Sequence, residues 1–182
     1  MSLAVLKLEA ERAFDFSYTE EGFYIVGHAD IITNERDRID FFPSLYNSDL
    51  GSLIDFYFSS FANKFVKDHR ETGSYRDFYR LTFQNEEGTP FYFSGFEGFN
   101  HNETFEVYSL GSYGYFEMGG VSAGLYISIL ALDALIWNLY NVANKTAKLS
   151  AIYDNLVKQK MFLFDYVLTR GDDTGKLYRL LD

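Results

Sequence analysis

One stretch constrains this chain more than any other: Val121 to Trp137, seventeen residues that are apolar almost all round a helix circumference. A helix with no polar face either crosses a membrane or lies at the centre of a fold. Seventeen residues is the short limit for a span, and Asp133 within it would cost about 2.5–3.5 kcal/mol on insertion scales. Its basic flank is one-sided and late, at Lys145 and Lys148. A buried core helix, Ser122 to Asn144, is therefore expected, and the rest of the chain must cover it. With 182 residues, 47% of them hydrophobic, one domain can do so. The N-terminus, Met1 to Lys7, lacks the basic region and apolar run of a signal peptide, so a cytoplasmic protein is expected.

The surrounding grammar is mixed. Residues 1–20 read as a helix start or an arm, and Gly22 to Ile32 as a strand. Asn34 to Asp40 reads as a charged loop, and Phe41-Phe42-Pro43 as an interruption, because the residue before proline is pushed away from helix. Asp49 to His69 is an amphipathic helix, with Leu50, Leu53, Ile54, Tyr57, Phe58, Phe61 and Phe65 three and four apart. Ser48 or Asp49 could cap it, and Gly73 fits its exit. From Tyr75 to Leu110 the period falls to two. Strands are expected at Phe78 to Phe83, Phe91 to Phe93 and Thr104 to Leu110, with a turn at Asn85 to Gly88. Gly111, Gly114, Gly119 and Gly120 mark a flexible or tightly turned approach to the core helix. Ala147 to Leu168 is a second amphipathic helix, and Gly171 onward a short tail. The fold class is α+β: an antiparallel meander of three to four strands packed by several helices, in a single domain spanning 1–182.

Charge narrows the partners. The chain has 26 acids and 16 bases, net −10, and no base lies between Arg80 and Lys145. That gap holds Glu86, Glu87, Glu97, Glu103, Glu106 and Glu117 on the expected meander and its turns. They form either a solvated face that keeps the sheet soluble or an acidic docking surface for a basic protein. Phosphate backbones and anionic lipid are disfavoured as partners. Mimicry of an extended duplex does not fit either, since 10 base pairs present roughly 20 charges.

Catalytic chemistry finds little support. There is no cysteine, hence no disulfide, thiolate metal site or Cys nucleophile. His28, His69 and His101 are isolated and match no metal spacing. Gly119 to Gly124 (GGVSAG) has the look of a phosphate loop but lacks its lysine, and close helix packing accounts for it better. The paired acids Glu86-Glu87 and Asp172-Asp173 sit in turns. The aromatics from Phe91 to Phe116 could stack bases only beside a cationic groove, which this stretch does not have. No cofactor and no metal are expected, and an enzyme resting on carboxylates alone is the least supported reading.

Met118 to Trp137 (MGGVSAGLYISILALDALIW) resembles a helix of the ArdB/KlcA-type antirestriction proteins without a gap, through Met118, Ala123, Gly124, Leu125, Ala131, Leu132, Asp133 and Leu135. Phe41-Phe42-Pro43, Gly73 to Leu81, Asn85 to Tyr92 and Tyr153-x-x-Leu156 resemble further segments of that family in the same order, over about residues 39–168. The chain departs at Ser74, where the family has Gly, at Arg76, where it has Trp, and at Val121, where it has Asp. The last helix also lacks an expected His-Pro pair. The resemblance implies a compact α+β protein of a bacterial mobile element, without a cofactor. It would relieve type I restriction-modification by binding a component of that machinery. An acidic interaction module of the same fold without antirestriction activity is the alternative.

Overall fold

The computed structural model describes residues 15–19, 22–46, 50–69, 76–85 and 87–182. Its backbone is a four-stranded antiparallel sheet ordered β1-β2-β3-β4, built from β1 (Asp15–Thr19), β2 (Gly22–Ile31), β3 (Asp77–Gln84) and β4 (Pro90–Gly98). Strand β1 corrects the reading of residues 1–20 as a helix or arm, because 15–19 pair in register with β2, from Asp15↔Val26 to Thr19↔Gly22. Residues 1–14 lie outside the described part.

Between β2 and β3 the chain makes three helices. The expected loop at 34–40 is instead a short helix, α1 (Glu35–Ile39). Asn34 starts it by accepting the amides of Arg36 (2.9 Å) and Asp37 (3.3 Å), two of the donors a helix start leaves unpaired. Pro43 does not interrupt the next segment but lies in the first turn of α2 (Phe41–Tyr46), where a missing N–H costs nothing. Helix α3 (Gly51–Phe65) buries Ile54, Phe58 and Phe65 of the expected stripe together with Ala62, while Tyr57 and Phe61 are half-buried and Leu53 turns to solvent. It stops before the expected His69, because Val66 turns extended and bridges Val107. The proposed caps Ser48 and Asp49 and the exit at Gly73 lie outside the described residues.

The β3–β4 hairpin closes on the expected turn, where the Asn85 side chain accepts the amides of Glu87 (3.0 Å) and Thr89 (2.9 Å) and Gly88 takes φ +80°. From Ser94 to Phe99 every residue is buried, so the end of β4 is covered on both faces. Helix α4 (Gly120–Tyr140) supplies much of that cover. Gly120, Gly124 and Ser128, four apart, form one stripe laid along residues 97–100. A Cβ on Gly124 would overlap the Gly98 Cα, one on Gly120 would overlap the Asn100 carbonyl, and Ser128 Oγ donates to the Glu97 carbonyl at 2.6 Å. The GGVSAG stretch is thus a packing surface. Helix α4 is long and apolar enough to cross a membrane, but 67% of its most apolar 18-residue stretch is buried in the fold.

The expected third strand of the meander does not join this sheet. Strand β5 (Thr104–Ser109) pairs with β6 (Gly114–Gly119), a strand within the segment expected to be a flexible approach. Four nearby glycines mask its alternation, in which Phe116 and Met118 face inward and Tyr115 and Glu117 outward. Helix α5 (Ala147–Val167) starts on Thr146, which accepts the Leu149 amide at 3.1 Å. It buries Leu156, Phe162, Leu163 and Tyr166, stacking Phe162 on Tyr92 at 4.0 Å. The supposed tail is ordered as a 3-10 turn and α6 (Thr174–Leu181), anchored by buried Leu177.

The glycine stripe makes a testable contrast. Gly124→Ala forces backbone against backbone and should destabilise the protein by about 2–3 kcal/mol or more in urea unfolding. Gly175→Ala, near the start of α6 with open space around it, should leave stability unchanged or raise it by up to about 1 kcal/mol.

Candidate functional site

The six glutamates do not form one surface. Glu86 lies outside the described residues. Glu87 is exposed on the β3–β4 turn, whereas Glu103 is exposed in the loop after the other end of β4, a strand roughly 30 Å long. Glu106 and Glu117 face each other across β5 and β6 on the solvent side. Glu106 accepts Lys67 Nζ at 2.6 Å, and Lys67 in turn lies 5.4 Å from the centre of the Tyr115 ring. Glu117 is exposed, and no cation pairs with its carboxylate among the described residues.

Glu97 is a correction. It is 1% exposed and cannot meet a partner. Its strand is buried on both faces, so a charge there needs a partner inside the protein. Arg76, just before β3, provides it. The guanidinium binds Glu97 Oε1, donates to Asp55 Oδ1 (2.7 Å) and Ser59 Oγ (2.6 Å) on α3, and lies 4.8 Å from the centre of the Phe58 ring. This cluster ties α3 to the sheet. Sequence reasoning missed it because its partners lie 17 to 21 positions from Arg76, on either side of it. The available hint was that Glu97 stands between Gly95 and Gly98, both pressed against other chain: an added Cβ would lie 2.5 Å from Phe41 Cζ at the first and 2.6 Å from Tyr79 Cε2 at the second.

A second polar group sits at the Asp77 end of the hairpin. Buried Asp77 accepts the His101 amide (3.3 Å) and contacts its Nδ1 (3.2 Å), while the Tyr79 hydroxyl donates to the Phe99 carbonyl at 3.1 Å. The arrangement fixes the 99–103 loop on which α4 rests. Among the described residues no group of three or more His, Asp or Glu is placed to hold a metal.

Glu97 Oε2 meets no donor among the described residues. Burial raises the carboxyl from its ordinary 4.5 to about 7, partly offset by Arg76 and reinforced by Asp55. The folded protein therefore binds more protons than the unfolded chain between about pH 4.5 and 7, and this group's contribution to stability falls as pH rises through that window. Glu97→Gln removes the titration. The stability of the variant relative to wild type should improve by roughly 2–3 kcal/mol from pH 4.5 to 8 in urea unfolding, whatever its offset at the starting pH. A constant difference would show that Glu97 stays charged throughout.

Comparison with protein-family models finds no match, and comparison with curated proteins finds none. Among solved structures, the chain is similar to that of the KlcA and ArdB proteins, described as a novel fold with antirestriction activity against Type I DNA restriction systems in vivo but not in vitro. Identity is 18% and the TM-score 0.55, over 97% of this chain and 100% of that one. At that identity the likeness is one of fold, and it runs the length of both chains. The resemblance seen in the sequence is matched by the structure: this chain has the fold of the KlcA and ArdB antirestriction proteins.

Proposed function

We propose that this protein relieves type I restriction in a bacterial cytoplasm by binding a protein, without catalysis. The observation that carries the reading is a fold likeness to KlcA and ArdB covering 97% of the chain. The polar clusters are compatible with it: Arg76–Glu97–Asp55 and Asp77–His101 each hold two parts of the fold together. Net charge of −10 favours a basic protein surface over DNA itself. For KlcA and ArdB, activity in vivo but not in vitro points to a partner missing from purified restriction reactions. Carried over, it makes a cellular regulator of the restriction complex a better target than the isolated nuclease.

Expression in a type I-restricting host should raise the plating efficiency of unmodified phage by about tenfold or more. It should leave plating on a restriction-deficient host unchanged. Equal plating with and without the protein would remove this reading and leave an interaction module of the same fold.

A further inference from the structure

The β5–β6 hairpin has an open edge. Lys67 N–H donates to the Glu106 carbonyl at 2.9 Å and Val66 bridges Val107, so the peptide groups of Glu106 point away from β6. Antiparallel alternation then turns those of its cross-strand partner Glu117, and of Tyr115, away from β5 toward the outer edge. At one end that edge is closed. Lys176 Nζ donates to the Glu117 carbonyl (2.7 Å), and Asp173 accepts the Gly119 amide (3.3 Å). The Glu117 N–H and both backbone groups of Tyr115 have no partner among the described residues.

Exposed edges in stable proteins are usually blunted by lysine, proline or a bulge. Strand β6 has none of these, and its register is unbroken from Thr104↔Gly119 to Ser109↔Gly114. Beside it, Leu110 is 63%, Tyr113 85% and Tyr115 49% exposed. Tyr113 is held at φ +51°, a region costly for a bulky residue, and its ring packs on nothing that would account for it.

We propose that this edge and tip dock an extended, lysine- or arginine-bearing segment of a protein partner by strand addition. The charge pattern selects that occupant. A strand laid beside β6 places its side chains next to Glu117 and Tyr115 on the solvent face. Lys67 already serves Glu106, while Glu117 has no cation, so a base beside Glu117 and an apolar residue two positions away beside Tyr115 complete the face. A second copy of β6 would bring another glutamate and no base. The proposal shares with the functional reading only that the partner is a protein.

The test is an NMR titration of the full chain with a capped octapeptide repeating Lys-Thr-Val-Thr, which sets lysine and valine two apart on one face, against its counterpart with glutamate in place of lysine. The lysine peptide should shift the Tyr115 and Glu117 amides and bind at least about tenfold more tightly than the glutamate peptide. Tyr115→Pro, which removes an N–H that makes no hairpin bond, and Glu117→Lys should each weaken binding about tenfold or more while melting like wild type. Should the proline variant not fold, Glu117→Lys decides alone. Equal binding of the two peptides, shifts confined to other strands, or wild-type binding by the folded variants would overturn the proposal. So would a sedimenting dimer that Tyr115→Pro dissolves, which would give the edge to a second copy. Loss of phage relief bears on the functional reading and leaves these binding outcomes as they are.

Discussion

The structure depends on one close approach: α4 laid on residues 97–100 along a stripe with nothing larger than a serine. Gly120, Gly124 and Ser128 bring helix and strand backbones together, and the last ties them with a hydrogen bond to the Glu97 carbonyl. A helix apolar all round gains stability only where it is covered all round, and this stripe lets β4 cover one side at the shortest distance. Elements on the other sides follow. Helix α3 brings Phe65 within 6.4 Å of Tyr126, ring to ring, and α5 reaches α4 through Lys160, which pairs with Asp133.

That approach has a consequence for polarity. Covering the end of β4 on both faces leaves Glu97 with no route to water, and the ion pair with Arg76 follows from it. Breaking such a pair leaves one buried charge uncompensated, a larger cost than the pair itself ever contributes. The cluster's role is accordingly positional. Asp55 and Ser59 tie α3 to Arg76 at the start of β3.

How much of this was legible follows from the same logic. The core helix, α3, α5 and the β3–β4 hairpin were readable because each carries its own period or turn chemistry within a dozen residues. Strand β6 was not, since glycine at both ends and at Gly111 imitates a loop, although its partner β5 reads as a strand on its own. Helix α1 was hidden because a five-residue helix made of ERDRI buries no side chain and shows no apolar stripe. The acidic surface failed where it relied on residue type alone. Glu97 and Glu117 look equivalent in the sequence, but one pairs with an arginine 21 positions upstream and the other faces solvent.

The departures from the ArdB/KlcA pattern are the place where fold and divergence meet. Where that pattern has tryptophan, this chain has Arg76, whose guanidinium lies over the Phe58 ring and binds Glu97 Oε1. Where the pattern has an aspartate at the helix start, this chain has Val121, yet a carboxylate is present there: Asp173, from the turn before α6, accepts the Gly119 amide. A negative group at a helix start is favourable whichever segment delivers it. In the first case a different side chain at the same position contacts a ring, and in the second the carboxylate comes from another part of the chain. Fold likeness at 18% identity is understandable on those terms, because packing fixes where a charge or ring must be and leaves open which part of the chain supplies it.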